Sequence, residues 1–219
     1  MSTSPSTSAD TLAAALARHA IDLPADRVEL LDRYAQLLWE WNEKLNLTRH
    51  TNYEKFVARD VVDSLAFSQT LTAGEDVLDV GTGGGVPGIV LAIVRPDVSI
   101  SLCDSVGKKA RTVEQIVHGL GLSIPVHAAR VQDVLEEHVF DTLTVRAVAP
   151  LGKLLNWVES RWSSFRRLLV LKGPAWVEER HAAREAGQMA ELQLRKLLSY
   201  PLPGTTSESV LLEIRPKGG

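Results

Sequence analysis

At 219 residues, 45% of them hydrophobic, the chain is long enough for one substantial core and short for two full domains. Its 24 Lys and Arg against 27 Asp and Glu leave a net charge of −3, which excludes a globally basic nucleic-acid binder and requires any such contact to come from a local patch. The single cysteine, Cys103, excludes an intramolecular disulfide and a paired-cysteine zinc or redox site and suits a reducing cytoplasm, and six scattered histidines without an HExxH pattern give no metal site.

Residues 1–9 open with MSTSPSTS, polar and without the basic start or apolar run of a signal peptide, and are expected to be a disordered tail. No apolar segment approaches the length that spans a bilayer. Residues 10–73 read as a helical appendage. Leu12 and Leu16 lie on one side of an alanine-rich stretch. From Pro24 to about Leu45, Leu31, Tyr34, Leu38, Trp41 and Leu45 recur at three-and-four spacing and predict a helix with one buried face, Trp39 and Trp41 belonging to that apolar stretch. Thr51 and Glu54 have capping-box spacing, and Val57, Val61 and Leu65 follow at intervals of four, which predicts a third helix ending before Gly74.

From residue 74 to 219 the texture changes to short apolar runs alternating with helical stretches, the pattern of a mostly parallel sheet covered on both faces. Strands are expected from Val77 to Val80, Ser99 to Asp104, Pro125 to Ala129, Thr142 to Arg146 and Leu168 to Lys172, with helices near 87 to 95, 108 to 118, 152 to 162 and 176 to 192. Lys196 to Tyr200 and Val210 to Arg215, separated by a Pro-Gly turn at 201 to 204, read as a closing hairpin. The fold class is α/β and Rossmann-like, with a seven-stranded sheet.

Between the first strand and the helix after it lies Asp79-Val80-Gly81-Thr82-Gly83-Gly84-Gly85. In an open parallel sheet, ligands sit beyond the carboxyl ends of the strands, where Gly81, Gly83 and Gly85 let a cofactor approach the backbone. Asp104 ends the second strand about 20 residues on, and its carboxylate can accept two hydrogen bonds from a ribose diol. This is the pattern of an S-adenosylmethionine pocket. A dinucleotide site is the rival, since Gly83, Gly85 and Gly88 also satisfy GxGxxG. Asp79 discriminates, because a carboxylate there repels a pyrophosphate but suits a ligand bearing an ammonium and a sulfonium. A nicotinamide-dependent oxidoreductase therefore ranks below a methyltransferase. Cys103, on an apolar strand without an activating base, reads as a core residue.

The wider pattern resembles the bacterial small-subunit ribosomal RNA guanine-N7 methyltransferases, the glucose-inhibited division protein B family. The resemblance runs from about Leu30 to Arg215 and is carried by Trp41-Asn42, Asn46-Leu47-Thr48, Arg59, Asp63-Ser64-Leu65, DVGTGGGVPGIVLAIVRP at 79 to 96, Asp104-Ser105, Gly107-Lys108-Lys109, Arg130-Val131, Arg146-Ala147 and Leu171-Lys172-Gly173. It implies cofactor contacts at Gly81, Val86, Val131, Gln132 and Arg146, with the third strand's end flanking the adenine and the fourth facing the methyl group. The partner it implies is 16S ribosomal RNA or the small ribosomal subunit, met by a cytoplasmic chain expected to be a monomer. Two positions depart from the family: Asp60 stands where a histidine is typical and Val145 where a serine is typical.

For RNA, the expected substrate rim is the neutral Asn46 with a basic set of Arg49, Lys55, Arg59 and Lys172, the last ending an apolar strand at the cofactor edge of the sheet. Lys108, Lys109 and Arg111 read as a solvated helix face. Methyl transfer from a sulfonium to the unprotonated guanine N7 requires no general base, so no catalytic His/Asp pair is expected and orientation carries the rate. A small-molecule methyltransferase is the alternative, marked by a closed apolar pocket in place of a basic rim.

Overall fold

The structure, a computed structural model, describes residues 10–202 and 206–218. The expected tail and the tip of the Pro-Gly turn lie outside the described residues. At the centre is a seven-stranded sheet of β1 (Asp76–Val80), β2 (Ser99–Cys103), β3 (Val126–His127), β4 (Phe140–Arg146), β5 (Phe165–Lys172), β6 (Leu192–Pro201) and β7 (Glu208–Pro216). Their spatial order is β3-β2-β1-β4-β5-β7-β6. The first five are parallel; β7 runs antiparallel between β5 and β6.

Alternation along the buried strands sends side chains to two cores. Val77, Leu169 and Leu171 face one; Leu78, Val80, Leu143, Val145, Leu168 and Val170 face the other. The first core is closed by α1 (Leu12–Arg18), α2 (Ala25–Leu45), a continuous helical run of α3 (Tyr53–Lys55), a π-helical segment (Phe56–Val61) and α4 (Val62–Ser68), and by α5 (Gly88–Val94) and α6 (Gly107–Leu120). The second is closed by α7 (Val131–Glu137), α8 (Leu151–Val158) and α9 (Trp176–Glu185). Leu31, Tyr34 and Leu38 of α2 are fully buried in the same cluster as Ile89 and Ile116, so one core runs across residue 73.

Several elements differ from expectation. Asn52, not Thr51, caps α3, its Oδ1 accepting from Lys55 N at 2.9 Å. The third strand shrinks to Val126–His127 at the sheet edge, where Pro125 has no N–H to give a ladder. The helix from 152 tightens into a 3-10 turn over Glu159–Ser164. α9 stops at Glu185, with Gly187 at φ +75°, and β6 starts at Leu192 where the helix was expected to end. α7 was not anticipated, although Val131, Val134 and Leu135 supply its buried stripe.

Candidate cofactor and acceptor site

β1 ends by delivering the chain into the glycine loop, and β2, β3 and β4 end beside it. Gly81, Thr82, Gly83, Gly84 and Val86 form one wall of a 370 Å³ cavity whose other walls are Asp104-Ser105-Val106, Arg146 to Val148, and Leu38, Leu47 and Thr48 from the end of α2. Gly83 has φ +60°, and a Cβ there would meet nothing closer than 3.9 Å, so the backbone is open to a ligand. Asp104 is 6% exposed; its Oδ2 accepts from Gly83 N at 3.0 Å and its Oδ1 from Val106 N at 2.8 Å. Each oxygen keeps a lone pair for a ligand hydroxyl, so the loop is braced by the carboxylate placed to read a diol. A second cavity of 190 Å³, sharing Gly81, Ser105 and Val148, is lined by Val131, Gln132, Ala129 and Trp157. The two form a trough along the carboxyl edge, acidic at Asp104 and with Val80, Ala129, Val131 and Trp157 as apolar walls beside Gln132 at the other end, which suits a nucleoside with an amino-acid arm.

Asp79 lines neither cavity. It is 1% exposed beneath the loop, its Oδ2 accepting from Thr82 Oγ1 at 2.7 Å and Gly88 N at 3.0 Å and its Oδ1 from Thr144 Oγ1 at 3.2 Å. Burial pushes its carboxyl up to about 6 against these hydrogen bonds. The charge argument drawn from Asp79 is therefore corrected, since this carboxylate ties loop to sheet and does not face a ligand. What separates the fold from a dinucleotide-binding sheet is topology, because that class orders its strands 3-2-1-4-5-6 whereas here antiparallel β7 enters between β5 and β6. Gly85 also turns away from the cavity, where a Cβ would meet Ile89 at 2.5 Å and the Tyr34 hydroxyl at 3.1 Å. Cys103 is 1% exposed, and burial pushes its thiol up to about 12, as befits a core residue.

A third, wider cavity of 570 Å³ continues from the first through Arg146, Ala147 and Val148 and is lined further by His50, Arg59, Asp63, Pro150, Leu171 and Lys172. Arg146 is its floor. Its Nη2 donates to Asp60 Oδ1 at 2.7 Å and its Nη1 to Asp63 Oδ2 at 2.9 Å, both carboxylates being buried. Burial opposes the guanidinium charge, but the two carboxylates outweigh it and hold its pKa above the ordinary value. His50 Nδ1 meets Asp60 at 2.9 Å, Tyr200 donates to Asp63 at 2.6 Å, and Arg59 lies 3.6 Å from Asp63. Arg146 pairs with both aspartates, and hydrogen bonds from Tyr200 and His50 share the remaining charge, which makes so buried a network tolerable. Asp60, the departure in the third helix, is thus one of the two carboxylates that Arg146 joins, while Val145 points into the second core away from the cleft.

The basic rim is only partly where it was expected. Arg59 lines the wide cavity, and Arg49 and Lys55 are exposed. Lys172 is corrected: its Nζ donates to Ala149 O at 2.6 Å and pairs with Glu179 at 2.7 Å, with 10% of the side chain exposed. Asn46 is an exposed left-handed C-cap of α2 at φ 47°. Lys109 does line the cofactor cavity. Among the described residues, no helix is long and apolar enough to cross a membrane and no group of three His, Cys, Asp or Glu is placed to hold a metal.

Comparison with solved structures gives the fold. TrmK of M. capricolum, in complex with the natural cofactor product S-adenosyl-homocysteine, matches with a TM-score of 0.55 at 12% identity over 71% of this chain and 68% of its own. A methyltransferase from Pyrococcus furiosus matches with a TM-score of 0.54 at 12% identity over 71% and 82%. They show the Rossmann-like fold of these methyltransferases. The family model GidB, rRNA small subunit methyltransferase G, matches residues 27–202. Proteins named ribosomal RNA small subunit methyltransferase G are 49% identical over 81% of this chain and 77% of their own in Rhodopirellula baltica, and 34% identical over 91% and 93% in Chromobacterium violaceum. The chain belongs to the rRNA small subunit methyltransferase G family.

Proposed function

We propose that the chain methylates N7 of a guanine in 16S ribosomal RNA, using S-adenosylmethionine, as a cytoplasmic monomer acting on the RNA or the small subunit that contains it. The observation that carries this reading is the two-part cleft, in which the glycine-loop trough opens through Arg146-Ala147-Val148 into a wider cavity large enough to receive a base. Asp104 would hold the ribose hydroxyls, Val131 and Gln132 would flank the adenine, and Gly81, Gly83 and Val86 would line the path of the amino-acid arm, since these residues line the two joined cavities. When bound, S-adenosylmethionine supplies an electrophilic methyl group on a sulfonium.

The protein's own residues have an orienting task. Guanine N7 carries an unprotonated lone pair, so no group need remove a proton from it before attack. Arg146, fixed by Asp60 and Asp63, lines the passage shared by the trough and the wide cavity, and Leu38 and Leu47 add apolar surface to the trough wall. Holding the nucleophile in line in a dry site is worth several kcal/mol, on the order of 7 or more when alignment is good. The test is to incubate 16S ribosomal RNA from cells lacking the protein with cofactor labelled in the methyl group and to map the label. A single N7-methylguanine is expected; labelling of small metabolites in place of RNA overturns the reading.

A further inference from the structure

The wide cavity holds one titratable side chain that methyl transfer as described leaves without a part. His50 follows the turn after α2 and lines this cavity with 26% of its side chain exposed. Its backbone is clamped: His50 N donates to Thr48 Oγ1 at 3.0 Å, and its carbonyl accepts from Trp39 Nε1 at 2.7 Å. Its Nδ1 lies 2.9 Å from both oxygens of Asp60, which is fully buried. A ring nitrogen facing two carboxylate oxygens carries the proton, so the neutral imidazole has its acceptor lone pair on Nε2. Among the described residues nothing bonds to Nε2. The neighbouring polar groups are already engaged: Asp63 accepts from Arg146 and Tyr200, Arg146 donates to both aspartates, and Lys172 is held by Ala149 and Glu179.

We propose that His50, oriented by Asp60, is the specificity-determining residue of the acceptor cavity, its Nε2 accepting a hydrogen bond from N1–H of the guanine that is methylated. The inference rests on the guanine-N7 reading above and extends it. N1 and N7 lie on adjacent edges of the purine, on either side of O6, so a base whose N7 turns toward the cofactor trough can present N1 to a side wall of the wide cavity. Adenine carries a lone pair at N1 where guanine carries a proton, so Nε2 would meet it acceptor to acceptor and the base would be refused. Withdrawing the N1 proton toward Nε2 also enriches the ring in electrons and makes N7 a better nucleophile. Asp60 acts through His50 and is a positioning residue.

The experiment pairs an enzyme change with a base change. The guanine that the wild-type chain methylates is replaced, by splinted ligation, with 2-aminopurine, which keeps N7 and the 2-amino group but lacks the N1 proton and O6. Wild type is expected to lose about tenfold in kcat/KM on this RNA, the size of one good hydrogen bond. His50→Ala is expected to lose about tenfold on the guanine RNA and nothing further on the 2-aminopurine RNA, with its cofactor affinity unchanged even though losing the Asp60 contact lowers its melting temperature. His50→Gln, which returns an amide oxygen near the Nε2 position, should recover part of the loss. Full additivity of the two losses, or an unaltered kcat/KM for His50→Ala on the guanine RNA, overturns the proposal, since a merely structural histidine would depress both RNAs alike. Failure of wild type to methylate any guanine at N7 is a separate result, and overturns the reading on which the proposal rests.

Discussion

Asp79 and Asp104 end neighbouring strands, and burial assigns them different work. Asp79 is sealed under the loop with its carboxyl raised to about 6 by desolvation, so the folded chain binds this proton more tightly than the unfolded chain, whose value is 3.8. The stability contributed is full below about 4 and is lost as pH rises through about 6, because above that pH a charge must be kept in a dry place. Asp79→Asn keeps an oxygen for Thr82 and Gly88, turns a donor to Thr144, and removes the titration. Denaturant unfolding at pH 4.5 and 7.5 should show a smaller loss of stability between the two pH values in the variant than in wild type; equal losses would mean that Asp79 does not titrate in this window. Asp104 remains at the cavity wall, where Asp104→Ala should weaken S-adenosylmethionine binding by about 1.5–3 kcal/mol through lost charge-assisted hydrogen bonds, as read by calorimetry. Unchanged affinity would remove it from the diol.

The end of α2 and the loop after it form part of the cofactor wall, so the helical segment and the sheet cannot be parted without opening the trough. Tyr34 donates to Gly84 O at 2.9 Å, and Leu38 and Leu47 close over the glycines. The turn that permits this is Asn46 at φ 47°, with Asn42 Oδ1 accepting from Thr48 N at 2.8 Å just beyond it. Asn46→Ala should cost about 1 kcal/mol from the left-handed backbone, while Asn46→Gly should leave both the melting temperature and RNA methylation near wild type. Loss of methylation in a stable Asn46→Gly chain would show that the amide touches RNA after all. Such local geometry was legible in the sequence where a short-range rule governs it. β1, β2, β4 and β5 are apolar runs bounded by turns, and the glycine loop with Asp104 has fixed spacing. α7 escaped because seven residues give too short a stripe for periodicity to register, and the stop of α9 was signalled by Gly187 but outweighed by the helix-forming residues around it. Positions 50, 60, 63, 146 and 200 meet only in three dimensions, and part of what aligns them is a π-helical turn at Phe56–Val61 that no spacing in the sequence announces. For the same reason Asp79 looked like a ligand and Lys172 like a free cation: the sequence shows the charge and hides its partner.

On the scale of the whole molecule, a net charge of −3 must still allow a polyanion to dock over the cleft. Arg146 is neutralised by two aspartates and Lys172 by Glu179, which leaves the outward cations Arg49, Lys55 and Arg59 on the side of the helical segment and Lys108 at the start of α6. Arg59 is the informative member, 35% exposed and, among the described residues, held by a 3.6 Å approach to Asp63. Phosphate contacts release counterions, so RNA affinity should fall steeply with salt while cofactor affinity barely responds. Removing a cation that touches phosphate should lower the slope of log affinity against log salt by about 1. Arg59→Ala is expected to do so with little change in melting temperature. Lys172→Ala is expected to do the reverse, lowering the melting temperature because Glu179 and Ala149 lose their partner while leaving the salt slope intact. The pair is decided by filter binding across a salt series beside thermal melts. A Lys172→Ala slope that drops as far as that of Arg59→Ala would mean that the ammonium leaves Glu179 for a phosphate when RNA arrives, and would extend the rim to the end of β5.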